Sequence, residues 1–157
     1  TFRLRAFRLR GSFQTRIGQS VINKARMNSE AMYNANNQST SVLKRWRYEG
    51  DDTDIPRALY NTGYNYLGSD RFVEKASFLR LKDLYLGYTL PKNTVKKLGL
   101  QNFTCYITAY DVFTWTNYKG QDPEVSIGGS KGIYQLATDN SYTPRPFRIA
   151  LGLTIDF

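Results

Sequence analysis

With 157 residues, a net charge of +9, a single cysteine and no histidine, the chain has room for one domain core but few tools for chemistry. The lack of His removes the commonest general base and metal ligand, and Cys105 alone forms neither an internal disulfide nor a Cys-rich zinc site. No stretch approaches the roughly 20 apolar residues of a membrane-spanning helix, whereas 12 Tyr and 9 Phe favour strands, where flat side chains pack on a pleated surface.

The chain opens on FRLRAFRLR, a strand-like pattern with no basic-then-apolar leader. Thr1 therefore reads as an interior point of a longer polypeptide. The pattern predicts a strand over about 2–17 that slips phase between Ala6 and Phe7, with Arg3, Arg5, Arg8, Arg10 and Arg16 making it strongly basic. Residues 18–76 follow as a long loop rich in Asn, Gly, Ser, Asp and Tyr. Its acidic cluster, Asp51, Asp52 and Asp54, matches no standard calcium-loop spacing and is expected to be a solvated turn.

A second strand is predicted over 77–90. Its apolar phase changes from Leu79 and Leu81 to Leu84, Leu86, Tyr88 and Leu90, so a bulge near Lys82 and Asp83 is expected. Residues 91–100 make a tight turn, with Pro91 suited to a first helical position and Gly99 to a helix end.

The third strand, 101–117, carries Phe103, Cys105, Ile107, Ala109, Asp111, Phe113 and Trp115 on one face and hydroxyl-rich residues on the other. A second long loop, 118–144, contains Asp122-Pro123-Glu124 and GGSKG. The first is a poor carboxylate pair for catalysis, because Pro sits between the acids in a loop. The second lacks phosphate-loop spacing. The last strand, 145–157, alternates strictly: Phe147, Ile149, Leu151, Leu153, Ile155 and Phe157 share one face. Its length suits a tilted transmembrane β-strand of about 9–11 residues.

The connections run long, short, long, as in outer-membrane barrels with long external loops and short periplasmic turns. That order makes 91–100 a periplasmic turn and puts Phe157 on the periplasmic side. Four strands cannot close a barrel, and an open sheet leaves unsatisfied edges in lipid. The expected fold is all-β: an antiparallel transmembrane β-barrel fragment that docks onto further strands.

The stretch RFVEKASFLRLKDLYLGYTLPKNTVKKLGLQNFTCYITAYDVFTWTNYKGQDPEVS, together with VLKRWRYEGDDTDIPRA and the terminal FRIALGLTIDF, resembles the C-terminal end of SusC/RagA-type TonB-dependent transporters. The resemblance covers essentially residues 39–157, with Asp111-Val112 where such sequences commonly read Asn-Leu. It implies that the chain supplies the last four or so strands of a barrel of about 22 strands, with the plug domain absent from this chain. It further implies an outer-membrane active transporter, not an enzyme, that imports oligosaccharides or peptides in a Gram-negative cell. Its partners would be the rest of the barrel and its plug, a SusD-like surface lipoprotein acting as a lid, the TonB complex and outer-membrane lipid.

Within that frame Arg3, Arg5, Arg8 and Arg10 are candidate lumen or plug contacts, since charges avoid lipid and seek partners. Trp46, Tyr48, Tyr60, Tyr64, Tyr66 and Tyr134 are candidate external-loop contacts to substrate or lid. Phe157 is similar to the terminal aromatic read by barrel-insertion machinery. No catalytic, metal or cofactor residue is expected, and no nucleic-acid partner, because the arginine stripe lacks an aromatic platform. The alternative is a soluble basic β-domain that binds carbohydrate or RNA through aromatic loops.

Overall fold

The computed structural model describes residues 1–63, 67–124 and 137–157. In chain order its elements are β1 (Phe2–Leu4), β2 (Phe7–Arg16), β3 (Ser20–Asn23), helix α1 (Lys24–Ser29), 3-10 turns Thr40–Lys44 and Asp70–Phe72, and β4 (Val73–Lys75). There follow β5 (Phe78–Thr89), helix α2 (Lys92–Lys97), β6 (Asn102–Thr116), β7 (Ala137–Asp139) and β8 (Arg148–Asp156). They form two compact units.

The first unit, residues 1–16, 78–116 and 145–157, is an antiparallel sheet in the order β1-β2-β5-β6-β8. Its two edges, β1 and β8, each have one neighbour, so the sheet is open. The expected single strand over 2–17 is in fact a hairpin. Leu4 pairs with Phe7, leaving Arg5 and Ala6 as a two-residue turn with Arg5 at φ +52°. The phase slip at Ala6–Phe7 marks this reversal, and the basic stripe divides between two paired strands, with Arg3 opposite Arg8.

A bulge occurs where the leucines change phase. Across β2 and β5, Ser12 pairs with Asp83 but Phe13 with Leu81, which leaves Lys82 as the extra residue. Across β5 and β6, Leu81 pairs with Phe113 and Asp83 with Tyr110, so the irregularity continues through Asp111, at φ +50°. Asp and Asn tolerate that left-handed conformation better than most residues. The bulge takes Asp111 out of the apolar row to which alternation assigns it. Its carboxylate is mostly buried and lies 4.0 Å from the Arg148 guanidinium.

The short connection closes as a capped turn. Pro91 precedes α2 in extended conformation, one residue earlier than its expected helical position. Gly99, at φ +71°, ends it: its N–H donates to the Lys96 carbonyl at 3.1 Å and that of Leu100 donates to Val95 at 3.2 Å. Only a residue without a Cβ takes that φ cheaply. Val95 is buried under the turn.

The second unit, residues 17–77 and 117–144, contains the two stretches expected to be external loops. They are not structureless. β3 pairs antiparallel with β4 and parallel with β7, giving a three-stranded sheet in the order β4-β3-β7 to which both stretches contribute. Alternation is too short in four- and three-residue strands to register as a period. The apolar centre is Val21, Ala76, Tyr118 and Ala137, all buried.

Candidate functional site

The sheet of the first unit has two chemically opposite faces, fixed by its cross-strand register. One face is a set of apolar rungs: Leu9, Leu86, Ile107 and Leu151 share one, and Phe7, Tyr88, Cys105 and Leu153 the next. Phe13, Leu81 and Phe113 continue the face above the bulge. These side chains are not covered; Leu151 is 80% exposed, Phe13 62% and Leu153 64%. Soluble monomers rarely leave so continuous an apolar surface open.

The other face is polar. Its rungs run Ser12, Asp83, Tyr110 and Arg148, then Arg10, Tyr85, Thr108 and Ala150, then Arg8, Gly87, Tyr106 and Gly152. Arg10 stacks over Tyr85 at 5.3 Å, and Tyr85 stacks on Tyr106 with ring centres 5.4 Å apart. A Cβ on Gly87 would collide with the Tyr85 ring, and one on Gly152 with the Tyr106 ring. The glycines let both tyrosines lie flat along the wall, covering backbone that would otherwise be bare. Arg80, only 3% exposed, donates from Nε to Thr114 Oγ1 at 2.8 Å. A cavity of about 360 Å³ on this face is lined by Arg8, Tyr85, Asn102 and the threonines Thr89, Thr104 and Thr154.

Of the basic residues singled out in the sequence, Arg3, Arg8 and Arg10 belong to the polar face, while Arg5 occupies the hairpin turn. Phe157 follows the end of β8 and is 83% exposed. Trp46, Tyr48 and Tyr60 are in the second unit, 37%, 73% and 68% exposed. The structure does not bring them into a ring contact with one another among the described residues. Tyr64, Tyr66, Tyr134 and the GGSKG segment lie outside the described residues.

Two acidic sequence features are local turn devices. Asp51 Oδ2 accepts from the backbone N–H groups of Arg47 and Tyr48 at 2.8 and 3.0 Å. These bonds from Tyr48 and Arg47 hold the Asp51 carboxyl below its ordinary range. Asp122 Oδ1 accepts from the Glu124 N–H at 2.9 Å across a turn at Pro123, whose carbonyl accepts from Gln19 Nε2 at 3.2 Å. Among the described residues no group of three or more His, Cys, Asp or Glu side chains could hold a metal ion.

Sequence reasoning missed the polar network of the second unit. Glu30 is 3% exposed and receives Arg26 Nε at 2.9 Å and Ser41 Oγ at 3.0 Å. Arg71 Nη1 is 3.4 Å from its other oxygen. Glu74 binds three donors from two segments: Arg26 Nη1 at 3.0 Å, Asn23 Nδ2 at 3.4 Å and the Lys119 N–H at 3.3 Å. The Phe72 ring, fully buried, lies between the Arg71 and Arg26 guanidiniums at 4.5 and 5.8 Å.

Burial works against the charge of both arginines. Hydrogen bonds to Glu30 and Glu74 outweigh it at Arg26, whose pKa is raised, whereas at Arg71 burial prevails and the pKa is lowered. Tyr118 donates to buried Asp139 at 2.7 Å, and burial followed by that carboxylate raises the phenol pKa. The one sequence signal for this network was the spacing of Arg26 and Glu30, four apart behind the Asn23 cap, whose Oδ1 accepts the Arg26 N–H at 2.9 Å.

No family model matches the chain, but individual proteins do. TonB-dependent receptor P26 of Formosa agariphila is 32% identical over 148 residues, covering 92% of this chain and 15% of that receptor. TonB-dependent receptor SusC of Bacteroides thetaiotaomicron is 31% identical over 142 residues, covering 85% of this chain and 13% of SusC. The RagAB peptide importer in its closed-closed state superposes with a TM-score of 0.76 at 25% identity, over 97% of this chain and 16% of the importer chain. An open two-faced sheet with the sequence of such receptors decides the matter. The chain is a barrel segment of a TonB-dependent receptor of the SusC/RagA kind. It spans 15% of the P26 receptor's length and 13% of SusC's.

Proposed function

We propose that this chain forms part of the wall and the external loops of an outer-membrane TonB-dependent transporter that imports oligosaccharides or peptides. In this reading the apolar face meets lipid, the polar face lines the lumen, and β1 and β8 pair with strands elsewhere in the same receptor. Residues 18–76 and 118–144 stand outside the cell and 91–100 faces the periplasm, with the plug supplied by another part of the polypeptide. Arg3, Arg8 and Arg10 face the plug or the passing substrate. Trp46, Tyr48 and Tyr60 are available to a SusD-like lipoprotein lid, and Phe157 serves as the insertion signal. The TonB complex drives the cycle through a segment outside this chain.

One observation carries the reading: the continuous exposure of the apolar rungs from Leu9 across to Leu151 on a sheet whose opposite face is charged and hydroxylated. Lipid is the environment in which that polarity is stable, because a barrel satisfies every backbone group between strands while presenting apolar side chains outward. The soluble alternative would leave those rungs in water, where exposed apolar area costs roughly 25 cal/mol per Å². Fractionation of cells expressing the full-length receptor tests it. The protein is expected in the outer membrane, released by detergent alone, with uptake of a neutral or peptide cargo lost when the proton-motive force is collapsed. Recovery from the aqueous fraction without detergent overturns the proposal.

A further inference from the structure

The end of the sheet that carries the short turn gathers cations without matching acids. The Ala6 carbonyl accepts from the Thr89 N–H at 2.9 Å, which sets the Arg5 hairpin turn beside the approach to α2. The Asp156 carbonyl accepts from the Gln101 N–H at 2.8 Å, which brings the end of β8 to the far side of the same turn. Arg5, Lys92, Lys96 and Lys97 are all exposed here. No acidic residue precedes Glu30, and none occurs between Asp83 and Asp111. β8 supplies Asp156, whose carboxylate already accepts from Asn102 Nδ2 at 3.1 Å. Among the described residues none of the four cations makes an ion pair or a side-chain hydrogen bond.

The local fold does not call for this charge. Lys92 opens α2, where a cation opposes the helix dipole, and no acid stands in that first turn. Lys92 and Lys96 are one helical turn apart, a spacing at which like charges repel. Lys96 and Lys97 suit the dipole of the last turn, yet the turn is already fastened by buried Val95 and by Gly99. Arg5 sits at φ +52°, a left-handed position that Gly, Asn or Asp fills more readily. Folding explains two of the four cations and leaves Arg5 and Lys92 without a reason inside the chain.

The apolar face ends at the same level. Phe103 pairs with Ile155 as one of its last rungs, and Ile155 is 41% exposed. Leu98, between the lysines and Gly99, is 60% exposed. An uncovered apolar surface that gives way within a few residues to clustered cations matches the border between hydrocarbon and headgroups. There basic side chains reach outward to charge while their stems stay in apolar contact. An acidic soluble protein would match the charge but not its position along the rim of the apolar face.

We infer that Arg5, Lys92, Lys96 and Lys97 form a docking surface for the headgroups of anionic phospholipids, with Leu98 set among the acyl chains beneath them. The inference rests on the transporter reading, in which 91–100 faces the periplasm, so the lipids are those of the periplasmic leaflet. Each lysine close to an anionic surface strengthens the attraction about five-fold. The turn thereby draws acidic lipid to one stretch of the receptor's perimeter.

Photocrosslinking tests it on the full-length receptor, reconstituted in vesicles in which phosphatidylethanolamine outnumbers phosphatidylglycerol. Benzoylphenylalanine in place of Leu98 captures whatever borders the turn, and mass spectrometry identifies the adduct. Phosphatidylglycerol adducts are expected at about five-fold or more above that lipid's share of the vesicle. The combined variant Lys92→Gln, Lys96→Gln, Lys97→Gln should bring them down to that share, and the corresponding three Lys→Arg changes should keep the enrichment. All three side chains are exposed, so neither variant removes packing. Adducts in vesicle proportion with the lysines intact, enrichment that survives the glutamines, or no lipid adduct at all each overturns the surface. So does capture of a periplasmic protein in place of lipid when the same receptor is illuminated in whole cells. Cell fractionation reports separately: a membrane-embedded receptor without the enrichment refutes the lipid surface alone, whereas recovery from the aqueous fraction removes the transporter reading and this surface with it.

Discussion

The two units of the chain place their apolar residues in opposite directions. In the sheet of β1, β2, β5, β6 and β8 most large apolar side chains lie on the uncovered face, and buried charge such as Arg80 is on the polar one beside buried Phe78. In the loop unit Val21, Phe72 and Ala76 are at 0% exposure, and the carboxylates Glu30 and Asp139 are buried with them, each held by hydrogen bonds. The same hydrophobic effect operates in both; in the proposed transporter it is the solvent that differs. In that reading a water-facing unit must build an interior, whereas a lipid-facing wall hands that role to the bilayer. Stability in the first therefore resides in a few fully buried residues and their ion pairs, and in the second in the ladder and its outward rungs.

The sharpest way to break this comparison is Phe72→Ala. Removing a fully buried ring from between two guanidiniums should cost the loop unit about 3–5 kcal/mol, the usual range for such truncations. Hydrogen exchange on the full-length receptor should show β3 and β4 losing protection by two or more orders of magnitude while β5 and β6 hold theirs. Equal loss in the strands would mean that the units do not answer separately.

Leu151→Arg probes the other side. On the proposed lipid-facing side an arginine there should destabilise the barrel by about 2–4 kcal/mol in reversible urea refolding into phospholipid vesicles. Arginine at Ala150, on the polar face, should change little, and similar costs at both positions would contradict the assigned faces.

The smallest expected effect concerns Asp51. Its folded carboxyl titrates below its ordinary value because the Tyr48 and Arg47 N–H groups bind the charged form. The bonds are thus fully present above the ordinary carboxyl range and are lost as pH falls through the lowered folded value. Exchange of the Arg47 and Tyr48 amides should quicken selectively below about pH 4, and Asp51→Asn should remove that pH dependence while leaving the strands untouched.

Much of the sheet was legible because a strand with one apolar and one polar face writes them as a period of two. Phe147 to Phe157 and Phe103 to Ala109 alternate cleanly, and the change of phase between Leu81 and Leu84 disclosed the bulge at Lys82. The hairpin at Arg5 and Ala6 left only a one-residue slip, which a longer strand with an irregularity explains equally well. The loop unit was illegible for a physical reason. Strands of three or four residues show no period, and its stability rests on Glu30, Glu74 and Asp139 meeting partners up to 51 residues away in sequence. No local pattern reports such meetings. The aromatic loop residues were easier to notice than to interpret, because Tyr48 and Tyr60 are exposed without a described ring partner.

The bulge at Lys82 also makes this stave of the wall sensitive to length. Deleting that one residue would restore unbroken alternation along β5 and rotate its upper end by half a turn. Phe78 and Arg80 would then join the apolar face, and Leu79 and Leu81 the polar one. Amino-acid exchanges at many outward positions are tolerable so long as they stay greasy, but a single-codon deletion here would turn one storey of the cylinder inside out. Indels, more than substitutions, are what selection must police along this segment.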